Sequence, residues 1–130
     1  MNNDMELQAV GDLVLGPNAE DFFSSVNQIL QNADVLVGQL EVPYTLRDPD
    51  SARLGRDPEV LQALVSAGFD VITLAGNHLA DAGVEGIEDT INWLDAHDLT
   101  HVGAGRNLEE ARRAAIIERN GIHFGFLDYN

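Results

Sequence analysis

Residues 69–78 read FDVITLAGNH, the clearest strand pattern in the chain followed directly by a polar turn. Its first six positions are mainly apolar and a glycine, an asparagine and a histidine follow, which predicts a buried strand that runs into a polar turn. A helix is predicted before it, with Asp57 as N-cap, Pro58 at the first helical position and Gly68 at the end. A second helix is predicted from Val84, where apolar residues recur at helical spacing. A buried strand between two amphipathic helices is typical of an α/β fold.

The segments before this unit continue the same alternation. Apolar runs predict buried strands over 7–15, ending near Gly11-Asp12, and over 35–40. Between them, helical spacing predicts one helix with a shared apolar face, formed by Phe22, Phe23, Val26, Ile29 and Leu30. Residues 43–58 show little periodicity and are predicted to form a long loop.

The carboxyl-terminal third adds two strands that are predicted to pair with each other. A short strand begins at His101, and Asn107 is the predicted cap of a helix that runs through Ala115. Residues 115–118 and 122–127 are predicted strands of a hairpin that turns at Arg119-Asn120-Gly121. Because strands and helices alternate along most of the chain, we expect a largely parallel sheet with right-handed crossovers.

Composition narrows the class of protein. The 130 residues suit a single domain, residues 1–130. With 7 basic and 22 acidic residues the formal charge is −15, which disfavours nucleic acid and anionic membrane surfaces as partners. Cysteine is absent, so disulfides and thiolate zinc sites are excluded. Residues 1–6 show no leader-like pattern and no later apolar run is long enough to span a membrane, so the chain as written would be cytoplasmic and without membrane insertion, but a chain trimmed of its leader would look the same and the localisation stays open.

Polar residues lie at the predicted carboxyl ends of three strands. They are Gly11-Asp12, Gln39-Leu40-Glu41 and Gly76-Asn77-His78. Taken singly, Asp12 and Asn77 could be turn or helix caps, Glu41 a solvated carboxylate and His78 a structural histidine. Because ligands of open α/β sheets gather at this edge, their convergence favours a functional site. Two carboxylates, an amide and an imidazole suit a divalent cation such as Mg, Mn or Fe, or zinc with further histidines.

The remaining histidines and one glycine-rich turn have simpler explanations. His97 lies near a helix end, which favours a structural role, and His101 and His123 begin predicted strands. The turn 103–107 resembles the start of a dinucleotide-binding loop, but Leu108 replaces the third glycine. A nucleotide-binding protein that uses this turn is an alternative hypothesis, and a tight turn capped by asparagine explains the pattern better.

Four elements in this order resemble the CapA family of poly-γ-glutamate capsule-synthesis proteins, which belongs to the calcineurin-like metallophosphoesterases. They are Gly11-Asp12, Gln39-Leu40-Glu41, AGNHLADAG at 75–83 and VGAG at 102–105. The resemblance covers residues 10–127. It implies that the chain is the amino-terminal portion of a layered α/β/β/α metallophosphoesterase fold, truncated at its carboxyl terminus.

The resemblance also implies a set of metal ligands. Asp12 would bind the first metal, Glu41 would stand where the superfamily has its bridging carboxylate, and Asn77 would bind the second metal. The cofactor would be divalent metal ions, two of them, drawn from Mn, Fe, Zn or Mg. Val14 stands where many phosphoesterases have a histidine ligand, and Gln39 stands where this family more often has asparagine.

The same resemblance implies that two further residues take part in proton transfer. His78 would be the general acid or contact the phosphate, and Asp81 would orient its imidazole. Asp81 could equally be an N-terminal cap for the helix that begins near Val84.

Two hypotheses about function follow. If the metal site is complete, the chain hydrolyses a phosphoester in capsule or poly-γ-glutamate synthesis or export, with a phosphorylated small molecule or an anionic polymer precursor as substrate. The alternative is a non-catalytic binding or assembly module with a degenerate metal site. In either case the apolar strand 122–127 is expected to be exposed and to allow homo-oligomer formation.

Overall fold

The computed structural model describes residues 4–130, so the expectation for the amino terminus falls partly outside the described residues. Within this range four parallel strands form one sheet in the order β1-β2-β3-β4. The strands are β1 (Leu7–Leu13), β2 (Val35–Leu40), β3 (Val71–Thr73) and β4 (Thr100–Val102). The predicted α/β class and the parallel sheet are confirmed.

Helices connect the strands. They are α1 (Ala19–Phe22), α2 (Asn27–Leu30), α3 (Pro49–Arg53), α4 (Gln62–Ala67), α5 (Gly83–Ala96) and α6 (Leu108–Ala111). A 3₁₀ turn, Pro58–Leu61, leads into α4, and the Asp57 side chain accepts a hydrogen bond from the backbone N–H of Glu59 at 3.0 Å. Gly68 ends α4 in the left-handed conformation, with φ of 85°. Both predicted boundaries of this helix are confirmed. Within residues 4–130 no helix has the length and apolar character needed to cross a membrane.

The two faces of the sheet are buried by different layers. On one face Leu36, Leu40 and Ile72 pack with the helical residues Leu64 and Leu94. The opposite face is covered by a hairpin, β5 (Ala115–Arg119) and β6 (Ile122–Phe126), and the residues in this second cluster are Val35, Val37, Val71, Val102, Ala115, Ile117, Phe124 and Phe126. Helices and hairpin together leave the carboxyl edge of the strands free for loops.

The hairpin turns where the sequence predicts. Asn120 and Gly121 have positive φ values of 52° and 79°, as a two-residue type I′ turn requires. Ala115 pairs with Phe126, and Arg119 pairs with Ile122.

The first strand differs from its prediction. β1 does not end near Gly11-Asp12 but runs through that pair to Leu13, with a register irregularity between Val10 and Leu13. It is also not a buried strand, since Leu7 is 45% exposed. Within the described residues β1 lies at the edge of the sheet and has a hydrogen-bonded neighbour on one side, which explains its exposure.

The predicted helix over 22–30 is two short helices separated by turns. Only Phe23 and Leu30 of its five expected core residues are buried, while Phe22, Val26 and Ile29 are exposed. The Ser24 hydroxyl donates to the Asp21 carbonyl at 2.7 Å, a local bond that competes with helix continuation.

The predicted loop at 43–58 is largely ordered and partly buried. Tyr44 is fully buried, and its hydroxyl accepts a hydrogen bond from the Leu15 backbone N–H at 2.6 Å. Burial raises the pKa of Tyr44 to about 12. Later in the segment, Asp48 caps α3 by accepting from the Ser51 N–H at 2.7 Å.

The helix expected through Ala115 is shorter. Asn107 caps it as predicted, since its side chain accepts from the Glu110 N–H at 2.9 Å. The helix ends at Ala111, because Ala115 already belongs to β5.

Candidate functional site

A hydrogen-bonded pair of side chains lies at the carboxyl end of β2. Gln39 Nε2 donates to Glu41 Oε2 at 2.7 Å, and both residues are half-buried. The backbone N–H of Glu41 donates to the Leu13 carbonyl at 3.1 Å, which joins the ends of β1 and β2. The carboxylate of Glu41 is therefore held at the edge where the sequence predicts a site.

The Gln39 and Glu41 side chains fit at this edge because two neighbouring residues are glycines, which have no side chain. A Cβ at position 76 would lie 2.9 Å from Glu41 Oε2 and closer still to Gln39 Nε2, while one at position 11 would lie 3.2 Å from Gln39 Cβ. Gln39 Oε1 is buried in this space and has no hydrogen-bond partner within residues 4–130. A buried carbonyl oxygen without a partner is available to a ligand.

Two other predicted metal ligands flank the pair. Asp12 is exposed near the end of β1, on the strand that pairs with β2. Asn77 is exposed in the turn four residues beyond the end of β3. In the described part of the chain, no three His, Asp or Glu residues are grouped closely enough to hold a metal ion.

The chemistry of the donors decides what could bind here. Glu41 and the free oxygen of Gln39 are hard oxygen donors that suit Mg or Mn, and they fit one such cation if Asp12 or Asn77 turns toward them. The ligand roles of Asp12, Glu41 and Asn77 remain predictions. Sequence reasoning named Gln39 among the polar residues of this edge but gave it no role, although Gln39 at the end of β2 and Glu41 just beyond it are two positions apart, a spacing that places the two side chains on one face.

The imidazole of His78 is oriented by a carboxylate. His78 Nδ1 lies 2.8 Å from Asp81 Oδ2, and both side chains are about half exposed. The residue at the N-cap position of α5 is Ala82, and the helix has no side-chain cap, so the capping alternative for Asp81 is wrong. The contact leaves His78 Nε2 for a substrate, and the catalytic role of both residues remains a prediction.

Asp128 is a functional candidate that the sequence did not indicate for this edge. Its Oδ2 accepts a hydrogen bond from the Ala75 backbone N–H at 2.7 Å. A Cβ at Gly103, whose φ is 93°, would lie 2.5 Å from the same oxygen. The carboxylate therefore lies against the first glycine of the turn 103–107, and its negative charge would repel a phosphate at that glycine, which disfavours the nucleotide-binding alternative.

The remaining histidines have structural partners. His97 stacks on Trp93 with ring centroids 3.6 Å apart and contacts the Trp93 carbonyl at 2.8 Å, as expected for a structural histidine. His101, on β4, contacts Asp95 at 3.0 Å. His123 is exposed on the hairpin.

An open cleft of about 470 Å³ continues from this edge between β3, α5 and α6. We call it the edge cleft. Gly76 lines the edge cleft and also lies against the Gln39 and Glu41 side chains.

Comparison with known proteins gives a family and several relatives. The family described as "Bacterial capsule synthesis protein PGA_cap" matches residues 6–130. The chain is 29% identical to the capsule biosynthesis protein CapA of Bacillus anthracis over 98% of this chain and 35% of that protein. It is 27% identical to the PGA biosynthesis protein CapA of Bacillus subtilis over 92% of this chain and 36% of that protein. A probable polyglutamine synthesis accessory protein of Mycobacterium tuberculosis is 38% identical over 68% of this chain and 25% of that protein.

Proposed function

The chain belongs to the bacterial capsule synthesis protein PGA_cap family, and from that membership we propose that it is a CapA-like, metal-dependent phosphoesterase-type domain that acts in capsule or poly-γ-glutamate synthesis or export. The chain spans 35% and 36% of the two CapA relatives. The activity, substrates and partners of a whole protein of this kind are therefore part of the proposal.

The observation that supports the proposal is the geometry around Glu41. Its carboxylate is fixed by Gln39 at the carboxyl edge of a parallel sheet, in a space kept open by Gly11 and Gly76. The same loop that provides Gly76 also carries His78, whose imidazole is oriented by a carboxylate. Carboxylate, amide oxygen and oriented imidazole are the groups that metal-assisted phosphoester hydrolysis needs.

The chain's own residues have distinct tasks in this mechanism. When bound, divalent cations, two of them by resemblance and drawn from Mn, Fe, Zn or Mg, supply a metal-activated nucleophile and neutralise charge on the phosphoryl group. Glu41, Asp12 and Asn77 would hold the cations, with Gln39 keeping the Glu41 carboxylate in place. His78 would give a proton from Nε2 to the leaving oxygen while Asp81 holds Nδ1. The substrate would be a phosphorylated small molecule or an anionic polymer precursor.

The test separates metal binding from proton transfer. We expect Glu41→Gln, Asp12→Asn and Asn77→Ala each to weaken Mn²⁺ binding measured by calorimetry, by about tenfold or more. We expect His78→Gln to leave Mn²⁺ affinity unchanged and to lower the hydrolysis of p-nitrophenyl phosphate by about a hundredfold. His123→Gln and Glu20→Gln, which change exposed residues, are the matched controls. Equal Mn²⁺ affinity in wild type and all three ligand variants would contradict a shared site.

A non-catalytic assembly module is the second candidate. It is favoured by the absence of a three-residue metal group within residues 4–130, and one relative bears the name of an accessory protein. This candidate predicts that the purified chain binds one Mn²⁺ or none and does not hydrolyse p-nitrophenyl phosphate. Two bound ions with turnover would exclude it.

A further inference from the structure

The tip of the hairpin carries the one Asn-Gly pair in the sequence, Asn120-Gly121. Both residues are exposed, and a Cβ added at Gly121 would meet no atom within 4 Å. The side-chain amide of an asparagine can be attacked by the backbone nitrogen of the next residue, and glycine hinders this attack least because it has no side chain. Asn120 is therefore the asparagine of this chain that is most open to reaction with its own backbone.

The reacting groups at the tip are held weakly in the part of the chain that the structure describes. The Gly121 N–H makes no backbone hydrogen bond there, and the cross-strand pairing of the hairpin closes at Arg119 and Ile122. The Asn120 amide nitrogen donates to Met5 Sδ at 3.3 Å, and a thioether sulfur is a weak acceptor. Neither the attacking nitrogen nor the side-chain amide is stabilised by a strong hydrogen bond.

The conformation of the turn opposes the reaction. Asn120 and Gly121 have φ values of 52° and 79°, which are those of a type I′ turn, and in such a turn ψ of the first central residue is about 30°. This ψ directs the Gly121 nitrogen away from Asn120 Cβ, whereas ring closure requires that nitrogen and Asn120 Cγ on the same side. Rotation about the Asn120 Cα–C bond is therefore needed, and the rotation breaks the turn.

Contacts further along the hairpin determine how often the turn can open. Arg119, at the end of β5, pairs with Asp70, which directly precedes β3, while Ile117 and Phe124 pack on the sheet. Beyond these contacts the tip is exposed, and the end of a two-stranded ribbon opens at a lower free-energy cost than its docked part. When opening is fast relative to the chemistry, the population of the open tip sets the rate of modification.

We propose that Asn120 is a self-modification site, converted to isoaspartate and aspartate when the hairpin tip opens. The Gly121 nitrogen bonds to Asn120 Cγ, the Cγ–Nδ2 bond breaks, and the proton of the Gly121 N–H leaves with Nδ2 as ammonia. Water then adds to the resulting five-membered imide. Hydrolysis of the new bond between Cγ and the Gly121 nitrogen gives aspartate, and hydrolysis of the bond between that nitrogen and the Asn120 backbone carbonyl carbon gives isoaspartate.

The two products have different effects on the hairpin. Aspartate before glycine is compatible with a type I′ turn. Isoaspartate passes the main chain through Cβ and Cγ, so the main chain is one carbon longer and a two-residue turn no longer joins Arg119 to Ile122 in their register. Formation of isoaspartate therefore keeps the tip open after a single reaction, and the change does not reverse.

The test follows Asn120 in the intact 130-residue chain in mildly alkaline buffer. A protease that cleaves after glutamate releases residues 119–130, and mass spectrometry measures the gain that accompanies loss of the amide. We expect conversion at Asn120 to be faster than at Asn18, which is also exposed but precedes alanine, and about tenfold or more slower than in concentrated urea, which removes the turn. Slower conversion at Asn120 than at Asn18, or equal rates with and without urea, would overturn the proposal.

A pair of variants tests whether docking of the hairpin controls the rate. Asp70→Asn removes the charge that pairs with Arg119, and the asparagine oxygen can still accept the hydrogen bond that Asp70 receives from the Leu36 N–H. We expect it to accelerate conversion at Asn120 several-fold, because the tip opens more often. Asp50→Asn, which removes the exposed pair with Arg53 away from the hairpin, is the matched control and should leave the rate within about twofold. Equal rates in the two variants would overturn control by the hairpin.

A stability measurement tests the consequence. The modified chain, separated by its added negative charge, is divided by a methyltransferase assay that recognises isoaspartate. We expect the isoaspartate form to unfold at a lower urea concentration than the wild type, and Asn120→Asp, which has the other product's side chain, to unfold close to the wild type. Equal unfolding of the isoaspartate form and Asn120→Asp would overturn the proposed effect on the turn.

Discussion

The side chain of Gln39 contributes both a hydrogen bond and a buried acceptor to the carboxyl edge of the sheet. Its amide nitrogen fixes Glu41, and its oxygen is buried without a partner in the part of the chain that the structure describes. A buried acceptor of this kind costs free energy unless a ligand satisfies it.

Gly76 provides the residue-scale test of this arrangement. We expect Gly76→Ala to lower the free energy of unfolding by about 1–3 kcal/mol, because the new methyl group would overlap the Gln39 and Glu41 side chains. Urea unfolding measures the loss. If Glu41 binds Mn²⁺ in the wild type, the same variant should weaken that binding, because both side chains must move.

The matched control is Gly16→Ala. A Cβ at position 16 would meet no atom within 4 Å, so we expect a change of less than about 0.5 kcal/mol. Equal stability of the two variants would show that a methyl group at position 76 does not clash with the Gln39 and Glu41 side chains.

The sequence predicts some of these residue-scale features and not others. The three-residue spacing of His78 and Asp81 is short enough for their contact to be anticipated. Asp128 lies 53 positions from Ala75, and its hydrogen bond depends on how the hairpin docks on the sheet. Local spacing therefore predicts local contacts, while the contacts of Asp128 require the tertiary structure.

For helices, strands and turns too, the predictions that depend on local sequence were right and those that depend on tertiary packing were not. The caps Asp57 and Asn107 and the turn Asn120-Gly121 depend on residues close in sequence, and all three are confirmed. The helix expected over 22–30 is two short helices in the structure. The prediction failed because it used apolar spacing alone, which does not show which residues the sheet will cover. Periodicity indicates that a face is apolar, and tertiary packing decides whether it is buried.

The segment after β2 is held against α5 by a charged group of residues. Asp89, on α5, accepts hydrogen bonds from the Arg47 guanidinium at 2.7 and 2.9 Å and from the Thr45 hydroxyl. Thr90 binds the backbone of the buried Tyr44 one position further along the helix. These long-range bonds explain why 43–58 is not the open loop that its composition predicts.

The element-scale prediction concerns acid stability. The hydrogen bonds from Arg47, and then the one from Thr45, hold the pKa of Asp89 below its ordinary value of 3.8. The folded state therefore binds fewer protons than the unfolded state in this range, so the stabilisation is present above about pH 4 and is lost as the pH falls through the folded pKa. We expect Asp89→Asn to lower the free energy of unfolding by roughly 1 kcal/mol at pH 7, and by progressively less as the pH falls through the folded pKa.

Urea unfolding from pH 2.5 to pH 7 measures this convergence, with Asp50→Asn as control. Asp50 pairs with Arg53 on an exposed surface, where both side chains are more than 70% exposed, so its removal should hardly change the pH dependence. A parallel offset between wild type and Asp89→Asn at all pH values would mean that the charge of Asp89 does not contribute.

At the scale of the whole molecule, two opposing features govern association with other chains. The net charge of −15 repels a second copy. The hairpin opposes this, since β5 and β6 pair only with each other in the described residues and so present free strand edges, with Ile122 43% exposed on β6. Free edges with apolar residues are sites of strand pairing between chains.

We therefore expect the 130-residue chain to self-associate through β6, and to do so more strongly as salt screens its charge. Light scattering across a range of protein and salt concentrations measures the association. Ile122→Glu should abolish it, because a charge at the edge opposes pairing, while the opposite residue Arg119, whose guanidinium also pairs with Asp70, places a positive charge beside the new carboxylate. Ile29→Glu is the control. Ile29 is 61% exposed on α2, so the substitution adds the same negative charge at a site away from the hairpin. If the wild type stays monomeric at high salt, or if Ile29→Glu reduces association as much as Ile122→Glu, then β6 is not the contact between copies and net charge alone governs the behaviour of the chain in solution.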